Sequence, residues 1–218
     1  MIMPMTMNRT ELLHSRKRPI EAISKSPIRS LPLKKRIKEA LTEVVNPADF
    51  VTNAFESRGI SVDELVSQAE KRFRAPSQTM IEAHTQELLQ AVRDNNLDKL
   101  KQFHESGVVL ESSNKFGESL LHLACRRGRS SIVRFLVQVV QVNLDVRDDY
   151  RRTPLHDACW TSEPNFDILK LLITEAPEHL LLQDVRGFPP FDYVRREHWS
   201  RWMEFLREHQ ELLQPKKN

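Results

Sequence analysis

From about residue 84 to 210, hydrophobic and polar positions alternate as pairs of short helices separated by polar turns. Leu155, Ala158 and Cys159 are apolar at i, i+3 and i+4, one face of a helix. Thr153 predicts an N-cap whose hydroxyl accepts from an unpaired backbone N–H, and Pro154 falls at the first helical position, where its missing N–H costs nothing. The same pattern stands upstream as Ser119-Leu120-Leu121-His122-Leu123-Ala124-Cys125 and downstream as Pro189-Pro190-Phe191-Asp192-Tyr193-Val194. His122 and His156 are 34 residues apart, and Asp192 follows after a further 36. A second apolar helix is predicted at Ile132–Val137 and again at Ile168–Ile173. Turns precede each unit, at Asn114-Lys115-Phe116-Gly117, Asp148-Asp149-Tyr150-Arg151 and Asp184-Val185-Arg186-Gly187. Self-similarity at this period is the mark of a stacked repeat, in which no unit buries its apolar face alone.

Weaker pattern flanks these units. Glu87–Arg93 and Leu97–Phe103 read as a degenerate first helix pair, and Trp199, Trp202, Phe205 and Leu206 pattern a closing helix. Further upstream, Ile37, Leu41, Val44 and Val45 are spaced for a helix ending before Pro47. Phe50, Val51, Ala54 and Phe55 make another, stopped by Arg58-Gly59. Ser61 and Glu64 have the spacing of a capping box, opening a helix with Val62, Leu65, Val66 and Ala69 on one face and its end near Pro76. A stack needs its terminal apolar face covered, so these helices are expected to cap the first unit. A separate partner-binding segment is the alternative.

Thr153-Pro154-Leu155-His156 with Ala158, its two relatives in register and the I-V-x-x-L-L-like second helices resemble the ankyrin repeat. The resemblance covers roughly residues 84–210. It implies an all-α ankyrin repeat solenoid of about four units, degenerate caps included, with turn or hairpin tips. The expected division is a disordered basic tail at 1–36, short helices at 37–76 and a repeat domain at 77–218. Within the last, the units fall at about 84–113, 114–147, 148–183 and 184–213. Leu121, Leu155 and Phe191 are then layer residues, as are Ala124, Ala158 and Val194. In the family the histidine of the motif ties adjacent turns together, which is the role implied for His122 and His156; Asp192 replaces it in the last unit. The second full unit departs from the pattern by two extra residues within Trp160–Asn165, where Gly128 of the preceding unit has no counterpart. That lengthened loop is either a packing adjustment or a recognition feature, with Asn165 able to cap the next helix.

Charge changes the picture at the N-terminus. The chain carries a net +3, but residues 1–38 hold ten Lys/Arg against two acids, leaving the rest at −5. With Pro at 4, 19, 27 and 32 and few aromatics, this stretch cannot bury enough surface to offset its ordering entropy. Arg16-Lys17-Arg18 and Lys34-Lys35-Arg36-Ile37-Lys38 resemble a nuclear import signal, so an import receptor is an expected partner. A nuclear, alternatively nucleo-cytoplasmic, location follows from that reading. The same tail could grip nucleic acid phosphates.

Candidate chemistry is sparse. Two cysteines give no disulfide framework and suit a reducing compartment, and neither has zinc-ligand company. No nucleophile–base arrangement, phosphate-cradling glycine loop, cofactor motif or run of roughly 18 apolar residues occurs, so a non-enzymatic, non-membrane, monomeric chain is expected. A protein partner is the expected ligand. By the resemblance it would meet the tips and first helices at Lys115, Phe116, Arg126, Arg127, Tyr150, Arg151, Arg152, Trp160, Arg186 and Phe188, with Leu123, Asp157 and Tyr193 beside them. With Arg147 included, basic groups outnumber the acids Glu118, Asp149 and Asp157 here, which points to an acidic or phosphorylated segment. Ser26-Pro27-Ile28-Arg29 resembles a proline-directed phosphorylation site between the two basic clusters. A phosphate on Ser26 would add roughly −2 charge there. Ser26→Asp is therefore expected to lower the nuclear fraction of the tagged chain below that of Ser26→Ala; equal fractions by quantitative imaging remove the idea.

Overall fold

Two rows of helices, inner and outer, alternate along the chain, because each unit supplies one short helix starting at a capped turn and one longer apolar helix. The computed structural model describes residues 45–215. The expected tail at 1–36, the import clusters, Ser26 and the helix from Ile37 lie outside the described residues. Among the described residues every regular element is helical, with a single antiparallel bridge between Ser113 and Ser119 at the base of one tip. No helix there is long and apolar enough to cross a membrane.

The elements in chain order are α1 Pro47–Glu56, α2 Val62–Glu70, α3 Gln78–Glu82, α4 Gln86–Arg93, α5 Leu97–Glu105, α6 Leu120–Arg126 and α7 Ser130–Arg134. They continue with α8 Pro154–Cys159, α9 Phe166–Glu175 and α10 Trp199–Glu208. The inner row runs α4, α6, α8 and a single 3₁₀ turn, Pro190–Tyr193, each touching the next. The outer row is α5, α7, α9 and α10. One continuous core joins them, with Leu121, Leu155 and Phe191 in successive layers and Ala124, Ala158 and Val194 beneath.

Local starts follow the sequence closely. Asn46, Ser61, Ser77, Thr85, Asn96 and Asn165 each accept from a backbone N–H of the helix they open. Asn165 also donates to Ser130 Oγ at 2.8 Å, tying its loop to the previous unit. Three departures stand out. Pro190–Tyr193 is one 3₁₀ turn rather than a full inner helix, since Val194 is already extended. The outer helix begun by α7 widens into a π turn at Phe135–Val139, where Val140 N–H reaches Phe135 O at 3.0 Å. And α2 ends at Glu70, short of Pro76.

The N-terminal helices correct a larger expectation. They do not cap the first unit; α1 packs on α10 and on Pro190–Tyr193, at the C-terminal end. The reason is that the shortened last inner turn leaves the Phe191, Trp202 and Leu206 face open, and Val51 and Phe55 fill it. The exposed outer side of α4, with Gln86, Glu87 and Gln90, has less apolar surface to hide. From there the chain crosses back along the array. Phe73 packs with Ala69 and Leu182, and its ring lies 5.6 Å from that of His179. Glu70 pairs with Arg147 at 2.6 Å and with Arg151, while Arg72 pairs with Asp145 at 2.8 Å and with Glu178. Burial pushes the Asp145 carboxyl up, but hydrogen bonds from His179 and Arg72 hold it down at about 2. Met80 O finally accepts from Ser113 N–H at 3.2 Å, at the first tip. Residues 46–84 are thus a strap along the stack.

Phe55 is fully buried where strap meets array. Phe55→Ala is expected to destabilise the chain by about 3–5 kcal/mol in urea unfolding, through lost burial and a residual cavity. A loss under about 1 kcal/mol would mean that the two parts do not share a core.

Candidate protein-binding groove

The three tips are built on one design. In each, a carboxylate or amide at the first position accepts two backbone N–H groups of its own loop. Asn114 Oδ1 accepts from Phe116 and Glu118 at 2.9 and 3.1 Å, and Asp148 Oδ1 from Tyr150 and Arg152 at 3.0 and 2.8 Å. Asp184 Oδ1 accepts from Arg186 and Phe188 at 2.8 and 2.9 Å. The fourth residue of each loop is left-handed: Gly117 at φ +84°, Arg151 at +62° and Gly187 at +83°. At Gly117 a side chain is excluded outright, because a Cβ would stand 2.2 Å from Arg147 O. Arg151 accepts the strain that a non-glycine residue carries there, roughly 1–2 kcal/mol.

The two histidines set each tip against its neighbour. His122 Nδ1 accepts from Ser119 N–H at 3.1 Å, and its Nε2 lies 3.0 Å from Arg152 O. His156 repeats this with Thr153 N–H at 3.1 Å and Phe188 O at 3.2 Å. With Nδ1 an acceptor, Nε2 carries the proton and donates to the carbonyl. Burial lowers both imidazoles to about 4, so both are neutral near pH 7. The carbonyls they hold belong to Arg152 and Phe188, two residues of the groove.

Between the second and third tips lies a cleft of about 460 Å³ lined by Tyr150, Arg152, Trp160, Arg186, Phe188 and Tyr193, with Asp184 and Asp192. A second, of about 230 Å³, adjoins it between the first and second tips, lined by Phe116, Glu118, Arg126, Tyr150 and Arg152 among others. Tyr150 and Arg152 form the shared wall. The Arg152 guanidinium stacks 5.0 Å from the Tyr150 ring and 5.9 Å from that of Trp160. Arg186 stacks 5.1 Å from Phe188 and 5.6 Å from Tyr193. Phe116, Tyr150 and Trp160 remain 53%, 56% and 51% exposed. The lengthened loop holds Trp160 there: Thr161 Oγ1 donates to Glu163 O at 2.7 Å, and Glu163 pairs with Arg201 of α10 at 2.8 Å. The loop is an anchored element that leaves its tryptophan in the open.

Of the ten residues expected at an interface, Phe116, Arg126, Tyr150, Arg152, Trp160, Arg186 and Phe188 line the two clefts. Lys115 lies over the Phe116 ring at 5.0 Å instead, Arg127 is exposed outside both, and Arg151 turns to Glu70 of the strap. Leu123 and Asp157, expected on the accessible inner face, are buried. Asp157 is 3% exposed, its Oδ1 has no partner among the described residues, and burial raises its carboxyl to about 6. The charge count changes too. Arg152 is held by Asp148 Oδ2 at 2.7 Å, Arg186 by Asp184 Oδ2 at 3.0 Å, and Arg126 by Glu118. These pairings join residues two to eight positions apart across a turn, and nothing short of the folded loop signals them. Cys125 and Cys159 are buried free thiols, and burial pushes both well up, leaving them unreactive.

A stack of helix pairs with neutral histidine ties and an exposed aromatic groove across its tips is the build of a repeat protein that docks other chains. Residues 88–184 match a family model described as ankyrin repeats, three copies. Residues 88–184 therefore carry ankyrin repeats, a fold that is typically non-enzymatic and serves protein–protein interaction. Among curated proteins it is similar to putative glutaminase 2 of Caenorhabditis elegans, 32% identical over 66 residues, 30% of this chain and 11% of that protein. It is also similar to the mitochondrial liver isoform of glutaminase from Rattus norvegicus, 31% over 85 residues, 39% of this chain and 14% of that one. The eye-specific diacylglycerol kinase of Drosophila melanogaster matches at 33% over 58 residues, 27% of this chain and 4% of the kinase. The chain therefore spans only a small part of the length of the curated relatives it matches.

The buried groups make stability pH-dependent. For His122 and His156 the folded value of about 4 lies below the ordinary 6.5, so the unfolded chain takes protons first and stability falls as pH drops through that window. Asp157 acts oppositely: raised from 3.8 to about 6, it takes its proton first in the folded state and adds stability over part of the same range. At 1.36 kcal/mol per pKa unit each group is worth about 3 kcal/mol, and two histidines outweigh one aspartate. The urea midpoint is expected to be lower at pH 4.5 than at pH 7; an unchanged or higher midpoint would mean that the imidazoles are not held neutral.

Proposed function

We propose that this chain is a nuclear scaffold or regulator that binds a protein partner along the groove of Phe116, Arg126, Tyr150, Arg152, Trp160, Arg186 and Phe188. The observation that carries the reading is the exposed, anchored Trp160 set between two stacked arginines: Trp, Tyr and Arg dominate interface hot spots, and a large aromatic left in water needs a reason. The repeat domain is read as four units, two of them degenerate, covering 84–213, preceded by a disordered basic tail. That tail supports the nuclear half of the proposal, with Arg16-Lys17-Arg18 and Lys34-Lys35-Arg36-Ile37-Lys38 as the segments an import receptor would read. The alternative is a nucleic-acid-associated protein whose +8 tail holds phosphates while the repeats recruit a partner. The activities named for the glutaminases and the kinase are not proposed here, since the shared stretch is at most 14% of the three relatives above.

A photoreactive phenylalanine analogue placed at Trp160 of the full chain in cells is expected to give a discrete protein adduct, absent when the same residue replaces the exposed Lys101 on the outer helix α5. Adducts of the same pattern from both positions, or from neither, count against the groove.

A further inference from the structure

The groove carries more formal acid than base, yet its acids are not what it offers. Asp148 and Asp184 each accept two loop N–H groups on Oδ1 and an arginine on Oδ2, and Tyr193 OH adds a further bond to Asp184 at 2.7 Å. Both are buried and saturated as acceptors. Glu118 is engaged by Arg126 and by Asn114 Nδ2. The arginines are differently placed. Arg152 uses Nε and Nη2 on Asp148, Arg186 uses Nε on Asp184 and Nη2 on Tyr193, and Arg126 uses Nη2 on Glu118. The Nη1 group of each makes no hydrogen bond among the described residues. A guanidinium has five N–H donors in one plane, so each arginine is fixed by a carboxylate on one edge and keeps donors on the other. For Arg152 and Arg186 a stacked ring prevents that free edge from wandering.

Apart from the exposed Asp149 carboxylate at the smaller cleft, what remains unmet in the groove is donor capacity beside aromatic surface, repeated from one tip to the next. We infer that the groove takes an extended segment of the partner protein bearing a single carboxylate next to a large apolar side chain. The carboxylate meets the free Nη1 edge of Arg152, shared with Arg126 or Arg186, and the apolar side chain lies on Trp160 and Tyr193 in the larger cleft. A lone carboxylate fits better than a phosphate or an acidic run. The five acids and three arginines lining the two clefts repel multiple negative charge at short range while the free N–H edges still attract one. A cationic side chain is disfavoured because the guanidinium groups of Arg152 and Arg186 already stand against these rings and would repel it.

This inference rests on the groove being the docking site, and the test separates the two. A display library of random twelve-residue peptides is selected on the full chain, and enriched peptides are re-measured with Trp160→Ala and Arg152→Gln, each first checked by thermal unfolding. The expected consensus has one Asp or Glu within a few residues of Trp, Phe or Leu. Affinity is expected to fall at least tenfold in Trp160→Ala and in Arg152→Gln, and also when the peptide acid becomes Gln or phosphoserine. Arg186→Gln serves in place of Arg152→Gln should the latter unfold. A neutral or Lys/Arg consensus that still depends on Trp160 overturns the carboxylate rule and leaves the groove standing. Peptides that bind regardless of Trp160, or no enrichment at all, overturn both.

Discussion

Everything at the binding face depends on the two buried imidazoles. A neutral histidine has one donor and one acceptor in fixed directions, so His122 and His156 can each join the start of their own helix to the carbonyl of the next tip. A protonated ring would lose the acceptor and set an Nδ1–H donor against the backbone N–H of Ser119 or Thr153. Burial prevents this, and the core that provides the burial is the same one that stacks the helices. Repeat spacing, layer packing and tip position are in this way one constraint. The price is sensitivity to acid.

The strap answers a different difficulty. The last inner element is a single 3₁₀ turn, too short to cover the apolar face behind it, and α1 covers that face with Val51 and Phe55. Crossing back toward the first tip, the strap uses Glu70 and Arg72 as ion-pair partners for the loops between units. These pairs are half exposed, so their individual worth is small, and they specify register more than they supply stability. Arg151 belongs to this network. Its left-handed backbone, at a position where its neighbours use glycine, turns the side chain toward the strap and away from the groove.

Preorganisation is the common feature of the groove. Each tip aspartate closes its own loop and grips its own arginine, and each arginine is stacked on an aromatic ring. Little side-chain entropy is left to lose when a partner docks, which lowers the cost of association. Asp157, buried beneath this layer with an unpaired oxygen, sits between the fields of Arg126 and Arg152 and contributes to their surroundings without touching solvent.

Much of this was legible in the residues. The recurrence of Ser119-to-Cys125 in Thr153-to-Cys159, the caps at Ser61 and Asn165 and the histidine spacing define the repeat, because helix starts and layer positions are local or periodic properties. Seven of the ten expected groove residues line the clefts for the same reason: variable positions of a regular repeat fall on one face. Three things only the tertiary structure decided. The strap runs to the far end of the stack because the open apolar face is there, and amphipathic pattern says which side of a helix is buried, never against what. Arg151 leaves the groove because its partner, Glu70, lies 81 positions away in the chain. And the arginines' free edges, on which recognition turns, depend on which donors the folded tips had already used.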